Sequence, residues 1–112
     1  MTKYELYTDT IETMTNKTTE WSAQDVWDAY NRQSSWAPHL AASADTVEEL
    51  KEAFEAEKKS CHARTHSGSA GLYLEAEIGY IQRSEYDEDG DFDQGEIIDW
   101  FAASYQPEGG NE

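Results

Sequence analysis

A single cysteine, Cys61, is all the thiol chemistry this chain carries. It excludes an internal disulfide and gives no sign of an oxidising compartment. Bases are also scarce: eight Lys and Arg stand against twenty-four Asp and Glu, a formal net charge of −16 over 112 residues. A surface of that sign repels nucleic acid and anionic membranes, which makes both poor direct partners. No apolar run approaches the ~20 residues of a membrane-spanning helix, and the opening MTKYELYTDT lacks the apolar core of an export signal. The default location is therefore cytoplasmic, where the sequon Asn16-Lys17-Thr18 carries no weight. No glycine-rich phosphate loop, nucleophile elbow or internal repeat is visible, so nothing in the sequence asks for a cofactor.

Aromatic residues, by contrast, are plentiful. Seven Tyr, four Trp and three Phe are spread along the chain, which a disordered acidic segment would lack. A single folded domain over residues 1–105 is expected, followed by a loose acidic tail, 106–112. The charge exceeds what solubility requires, and self-repulsion makes it costly. It favours cationic partners: metal ions, basic peptides, or the nucleic-acid-binding grooves of other proteins. A salt-adapted proteome would also be acidic, but fifteen Glu against nine Asp, with five Lys retained, argue against that origin.

Periodicity supplies the elements. Tyr4, Leu6, Thr8 and Thr10 alternate within Lys3–Thr13 and predict a strand, with a turn at Asn16-Lys17. Ser22 to Asp25 form a variant capping box, and Ala23, Val26, Trp27 and Tyr30 then mark one face of a helix to about Arg32. Ser34 to Pro38 end it. A second helix is predicted from N-caps at Asp45 or Thr46, with Val47, Leu50 and Phe54 as its buried stripe. Lys58, Lys59, His62 and Arg64 gather at its far end. They read first as cations answering unpaired carbonyls; the alternative is a dipolar molecule that favours a homodimer. Leu72, Leu74, Ala76, Ile78 and Tyr80 alternate as a half-buried strand. Asp89-Gly90 signals a hairpin, and residues 91–101 are expected to return as a strand, with a helix over 96–105 as the competing pattern. The resulting order is β-α-α-β-β, an α+β domain whose antiparallel sheet is covered on one face by two helices.

EYDEDGDFDQGEIIDW, residues 85–100, holds eight carboxylates and no base. Three readings compete. Counted from Glu85, the residues Asp87, Asp89, Asp91 and Glu96 resemble a calcium loop of the EF-hand type, except that Glu replaces Asp at its first position and the flanking residues have strand periodicity. The second reading is a solvated hairpin whose acids keep an edge from pairing. The third is a charge mimic: alternate residues of an extended strand lie roughly 6.8 Å apart, similar to successive phosphates, and Asp87, Asp89, Asp91 and Asp93 alternate. A patch of Glu85, Asp87, Glu88, Asp89, Asp91, Asp93, Glu96 and Asp99 would then bind a basic protein, with Tyr86, Phe92 and Trp100 as anchors. In size, charge and aromatic content the chain resembles the small acidic inhibitors that phages and plasmids make against restriction or CRISPR enzymes. That is a likeness of class, and no motif ties it to one family.

Cys61, His62 and His66 form the remaining cluster. On a continued helix the histidines would share a face at i, i+4 and, with the thiolate and His39 or a carboxylate, would complete a zinc site; Cys61 and a histidine would likewise make a nucleophile and base. The competing reading sends Cys61 into the core beside Phe54. The expectation is a non-enzymatic protein that binds through its acidic face.

Overall fold

A computed structural model describes residues 1–107. Five antiparallel strands and two helices follow one another as β1 (Thr2–Thr15), α1 (Ala23–Arg32), β2 (His39–Ala44), α2 (Lys51–Ser60), β3 (Ala63–Gly68), β4 (Gly71–Tyr86) and β5 (Phe92–Ala102). The α+β class stands, but the β-α-α-β-β order does not, because two strands intervene. The segments HLAASA and ARTHSG contain few of the β-branched and aromatic residues that signal strands. They are extended because each finds an open edge: β2 pairs with β1, and β3 with the first half of β4.

β4 is the axis of the fold. One of its edges pairs with β1 from Thr15↔Leu72 to Thr2↔Glu85. The other is shared end to end by β3, over Gly71–Ala76, and β5, over Ile78–Tyr86. The result is elongated, 58 × 28 × 17 Å.

The two helices lie on opposite faces of this sheet, a second departure from the expected arrangement. Successive strand residues point to opposite faces, and here neighbours divide between two cores. Tyr7, Ile11, Leu74, Ala76, Ile78, Tyr80 and Trp100 pack with Val26 and Tyr30 of α1. Leu6, Ile81 and Phe101 pack with Leu50 and Phe54 on the side of α2. The run Ile78-Gly79-Tyr80-Ile81 is therefore buried on both faces, which a pattern of simple alternation does not anticipate. Gly79 serves this crossing: a Cβ there would lie 2.3 Å from the Phe101 ring, so only glycine lets that ring reach the Phe54 side.

Local chemistry sets the helix ends. The Ser22 hydroxyl accepts from the Asp25 N–H and the Asp25 carboxylate accepts from the Ser22 N–H, each at 3.0 Å. The Ser22 N–H, first, and the Ser22 side chain hold the Asp25 carboxyl below its usual range. At the second helix the Thr46 hydroxyl accepts from the Glu49 N–H at 3.3 Å, but the N-cap of the 3-10 turn over Glu48–Leu50 that leads into α2 is Val47, not Asp45 or Thr46. Asp45 instead pairs with Lys3 at 3.3 Å. Leu50 and Phe54 are buried and Val47 partly so, as the stripe requires. Of the predicted tail, Gln106 and Pro107 have no regular structure, and 108–112 lie outside the described residues. Among the described residues no helix is long and apolar enough to cross a membrane.

Candidate functional site

Residues 85–100 form the far end of β4, the turn, and nearly all of β5. The expected strand over 91–101 is observed, and the helical alternative for 96–105 is not. The turn is built on Asp87. Its backbone N–H donates to the Asp91 carbonyl (2.9 Å), and its carbonyl accepts from the Gly90 N–H (3.0 Å). One oxygen of its carboxylate, Oδ1, accepts from the N–H groups of both Asp89 and Asp91, at 3.0 and 2.9 Å. Gly90 has φ +85°, the left-handed backbone expected at this position.

This geometry revises the phosphate-line argument. Asp87, Asp89 and Asp91 do not lie along an extended strand; they wrap the turn, with one ligand oxygen from each within 4.8 Å of the others. Charges so close repel by on the order of 1 kcal/mol per pair even at water-like dielectric. Asp93 stands on β5 beyond them. The acids form a compact knob at the tip, followed by a more open array along β5.

The calcium-loop set is divided in the same way. Glu85 lies within β4, where its carboxylate accepts from the Thr2 hydroxyl (2.8 Å) and meets Arg83 at 3.3 Å. Glu96 sits on β5 opposite Arg83. The flanking elements are strands, and of Glu85, Asp87, Asp89, Asp91 and Glu96 only the three aspartates converge.

Of the aromatic candidates, Phe92 is 55 % exposed, whereas Tyr86 and Trp100 are only partly accessible. Trp100 stacks on Trp27 of α1. Tyr86 is held by a group that the sequence did not single out. Glu5, 8 % exposed, accepts from the hydroxyls of Ser84, Tyr86 (2.7 Å) and Tyr7 (3.3 Å). Three hydroxyl donors satisfy this buried carboxylate without a cation. Burial and the Glu5 charge raise Tyr7 to about 12, and the hydrogen bond to Glu5 raises Tyr86. Phe92 then meets Tyr86 edge-on at 5.9 Å. The chain Glu5–Tyr86–Phe92 thus fixes the base of the acidic tip. Only the Glu5↔Gln82 register reveals it, since nothing local marks Glu5 as buried.

Register also sorts the ribbon by face. Gln94, Glu96 and Asp99 lie opposite Glu85, Arg83 and Ile81 on the α2 side, while Phe92, Gly95 and Ile97 lie opposite Tyr86, Ser84 and Gln82 on the α1 side. Ile97 and Ile98, both 42 % exposed, add apolar surface to the hairpin. Glu88 and Asp93 are exposed, like every residue from 87 to 99.

The second cluster is dispersed. Residues 63–68 are strand, so His62 and His66 are not one helical turn apart; four strand residues span ~13 Å. His66 Nε2 meets Glu12 at 2.9 Å and its ring stacks on Tyr73, while His62 Nδ1 faces Glu77 at 3.3 Å. Arg64 pairs with Glu75 at 2.8 Å. These side chains therefore face carboxylates across the sheet, and only Lys58 and Lys59 remain in the last turn of α2. Cys61, His62, His39 and Glu77 do border one cleft of about 390 Å³. However, the Cys61 thiol donates to the Lys58 carbonyl and packs beside the Leu50–Phe54 core. Burial, then the Glu77 charge, push that thiol up, away from the thiolate that a nucleophile or zinc ligand needs.

No family model, curated protein or solved structure matches this chain.

Proposed function

We propose that this chain is a non-enzymatic binding protein that presents its β4–β5 hairpin to a cationic surface of another protein. The surface it suits best is a groove that normally holds nucleic acid, because an acidic face docked on the same Lys and Arg side chains releases its own counterions, as a phosphate backbone does. One observation carries this reading. Among the described residues every contact between a basic side chain and a carboxylate lies elsewhere, at Lys3–Asp45, Lys51–Glu48, His62–Glu77, Arg64–Glu75, His66–Glu12 and Arg83–Glu85, and none reaches residues 87–99. Arg64 and Arg83 pair with carboxylates on the α2 face of the sheet, whereas the carboxylates of the hairpin stand in water beside an exposed Phe92. Acids on the helices, among them Asp25, Asp28, Glu52 and Glu55, extend the field that would steer a basic partner. A homodimer through the hairpin would set like charges together. By likeness of class, the target is a restriction or CRISPR enzyme.

The test is capture from nuclease-treated lysate at low salt, with elution by stepwise salt and, separately, by excess duplex DNA or RNA. A basic protein released by both is expected. Replacing Asp87, Asp89, Asp91 and Asp93 by Asn should weaken its capture at least tenfold, about 1.4 kcal/mol over four sites. Retention indifferent to salt, oligonucleotide and the four substitutions would sink the reading, as would no retention at all.

A second reading has its own observation. The converging Asp87, Asp89 and Asp91 oxygens offer a small all-carboxylate site for a hard divalent cation. Two of the oxygens' partners are already fixed, because Asp87 Oδ1 is engaged by two N–H groups, so this site would be weak.

A further inference from the structure

We infer that the partner attaches at the free edge of β5, as an extended segment that alternates basic and apolar residues and adds a sixth strand to the sheet. This rests on the acidic-surface reading above and specifies its partner.

The argument begins with backbone groups. Among the described residues β5 pairs with β4 along one edge and with no other strand, so the N–H and C=O groups of its outer edge have no ladder partner there. The other terminal strands, β2 and β3, have six residues each, whereas β5 has eleven, and residues 92–99 are exposed throughout. An open edge of this kind is what strand addition uses: main-chain bonds supply affinity, and alternate side chains supply specificity.

Side chains then define what would fit. On the α2 side an added strand would run beside Gln94 and Glu96, with Asp99 beyond. On the α1 side it would run beside Phe92 and Ile97. Neither helix covers this part of the ribbon, since α2 reaches the sheet at Leu6, Ile81 and Phe101 and α1 at Tyr80 and Trp100. Opposite charges directly across a pair are favourable and like charges are not. The strand that matches is therefore basic at the positions facing Glu96 and apolar at those facing Phe92 and Ile97. A second copy fails this requirement, because it would bring another acidic β5 to the same edge. Bulges at both ends leave Asp93 and Ile98 out of register and confine the regular run to Gln94–Ile97, so the added segment is short. Bulges and acids together guard the edge against self-pairing without opposing a cationic strand.

The experiment uses the whole chain and synthetic peptides of about ten residues, read by fluorescence anisotropy at low salt. One peptide alternates Lys and Val; its isomer places all Lys before all Val. The alternating peptide is expected to bind at least tenfold tighter. N-methylation of one alternate set of its amides should abolish that advantage and methylation of the other set should not, because each antiparallel residue directs its N–H and C=O to one side. Hydrogen exchange should slow at residues 94–98. Equal binding of the isomers, or slowed exchange at β2 or β3 instead, overturns strand addition to β5 while the acidic-surface reading stands. Failure of both peptides to bind at low salt removes that reading as well.

Discussion

Trp27 of α1 and Trp100 of β5 stack with ring centroids 4.9 Å apart and planes 5° from parallel. The contact joins α1 to the strand that carries Asp93, Glu96 and Asp99 of the hairpin. Trp27 also meets Tyr30 and Tyr80, at 5.6 and 6.0 Å, so one aromatic cluster ties β5 to the centre of the sheet.

Truncating either partner should therefore loosen β5. Trp27→Ala is expected to cost about 2–3 kcal/mol in urea denaturation, less than the 3–5 of a fully buried Trp because both rings keep some exposure. A double-mutant cycle with Trp100→Ala should return a coupling of about 1 kcal/mol. Purely additive losses would mean that the two rings stand near one another without interacting.

Gly90 separates backbone strain from packing. No atom would lie within 4 Å of an added Cβ, so the φ of +85° is the sole obstacle to a side chain. Gly90→Val should cost roughly 1 kcal/mol or more, with Gly90→Asn much milder because Asn tolerates the left-handed region. Equal melting temperatures for wild type and the Val variant would contradict this turn.

Alkaline pH tests the Glu5 cluster. Tyr7 in the fold ionises near 12 rather than near 10. Its neutral form is the one the fold favours, so that contribution is whole below pH 10 and is lost as pH rises through about 12. In that window the unfolded chain holds fewer protons, and urea stability should decline with pH. The raised values of Tyr30, Tyr80 and Tyr86 add to the slope. Tyr7→Phe should make the decline shallower without removing it; an unaltered slope from pH 10 to 11.5 would count against the cluster.

Cation binding discriminates between two ligand sets. If the three-aspartate tip holds calcium, titration calorimetry should give weak heat in the millimolar range that Asp89→Asn removes and Glu96→Ala leaves unchanged. A calcium loop of the EF-hand type would show the opposite for Glu96, its bidentate ligand. Micromolar binding abolished by Glu96→Ala would require a rearranged hairpin.

Signals contained within a few residues were legible in the sequence. The Ser22–Asp25 box, the stop before Pro38, the alternation of Leu74, Ala76 and Ile78, and the turn glycine at 90 each depend on neighbours in the chain, and each appears where its chemistry places it. What could not be read depends on partners far away. HLAASA becomes a strand because β1 offers an edge, and Arg64 and His66 become strand residues because Glu75 and Glu12 stand across from them. The assignment of helices to faces was hidden for a related reason: Leu6 and Tyr7 are both apolar, and only the register shows that they serve different cores. At the site, the acids were plain, but their convergence at the turn and the role of Glu5 needed the third dimension.

The dominance of β4 has a consequence in time. Thr2 pairs with a residue 83 positions later, and β1 meets its principal partner only when the long intervening chain has closed. Pairings this distant make folding slow, because the loop must close before any contact rewards it. Until then Leu6, Tyr7 and Ile11 lack the β4 side chains they pack against, the condition in which unfolded chains stick to one another. Between unfolded copies of the whole chain, sixteen surplus negative charges oppose that association. The acids that mark the finished surface also keep unfolded copies apart.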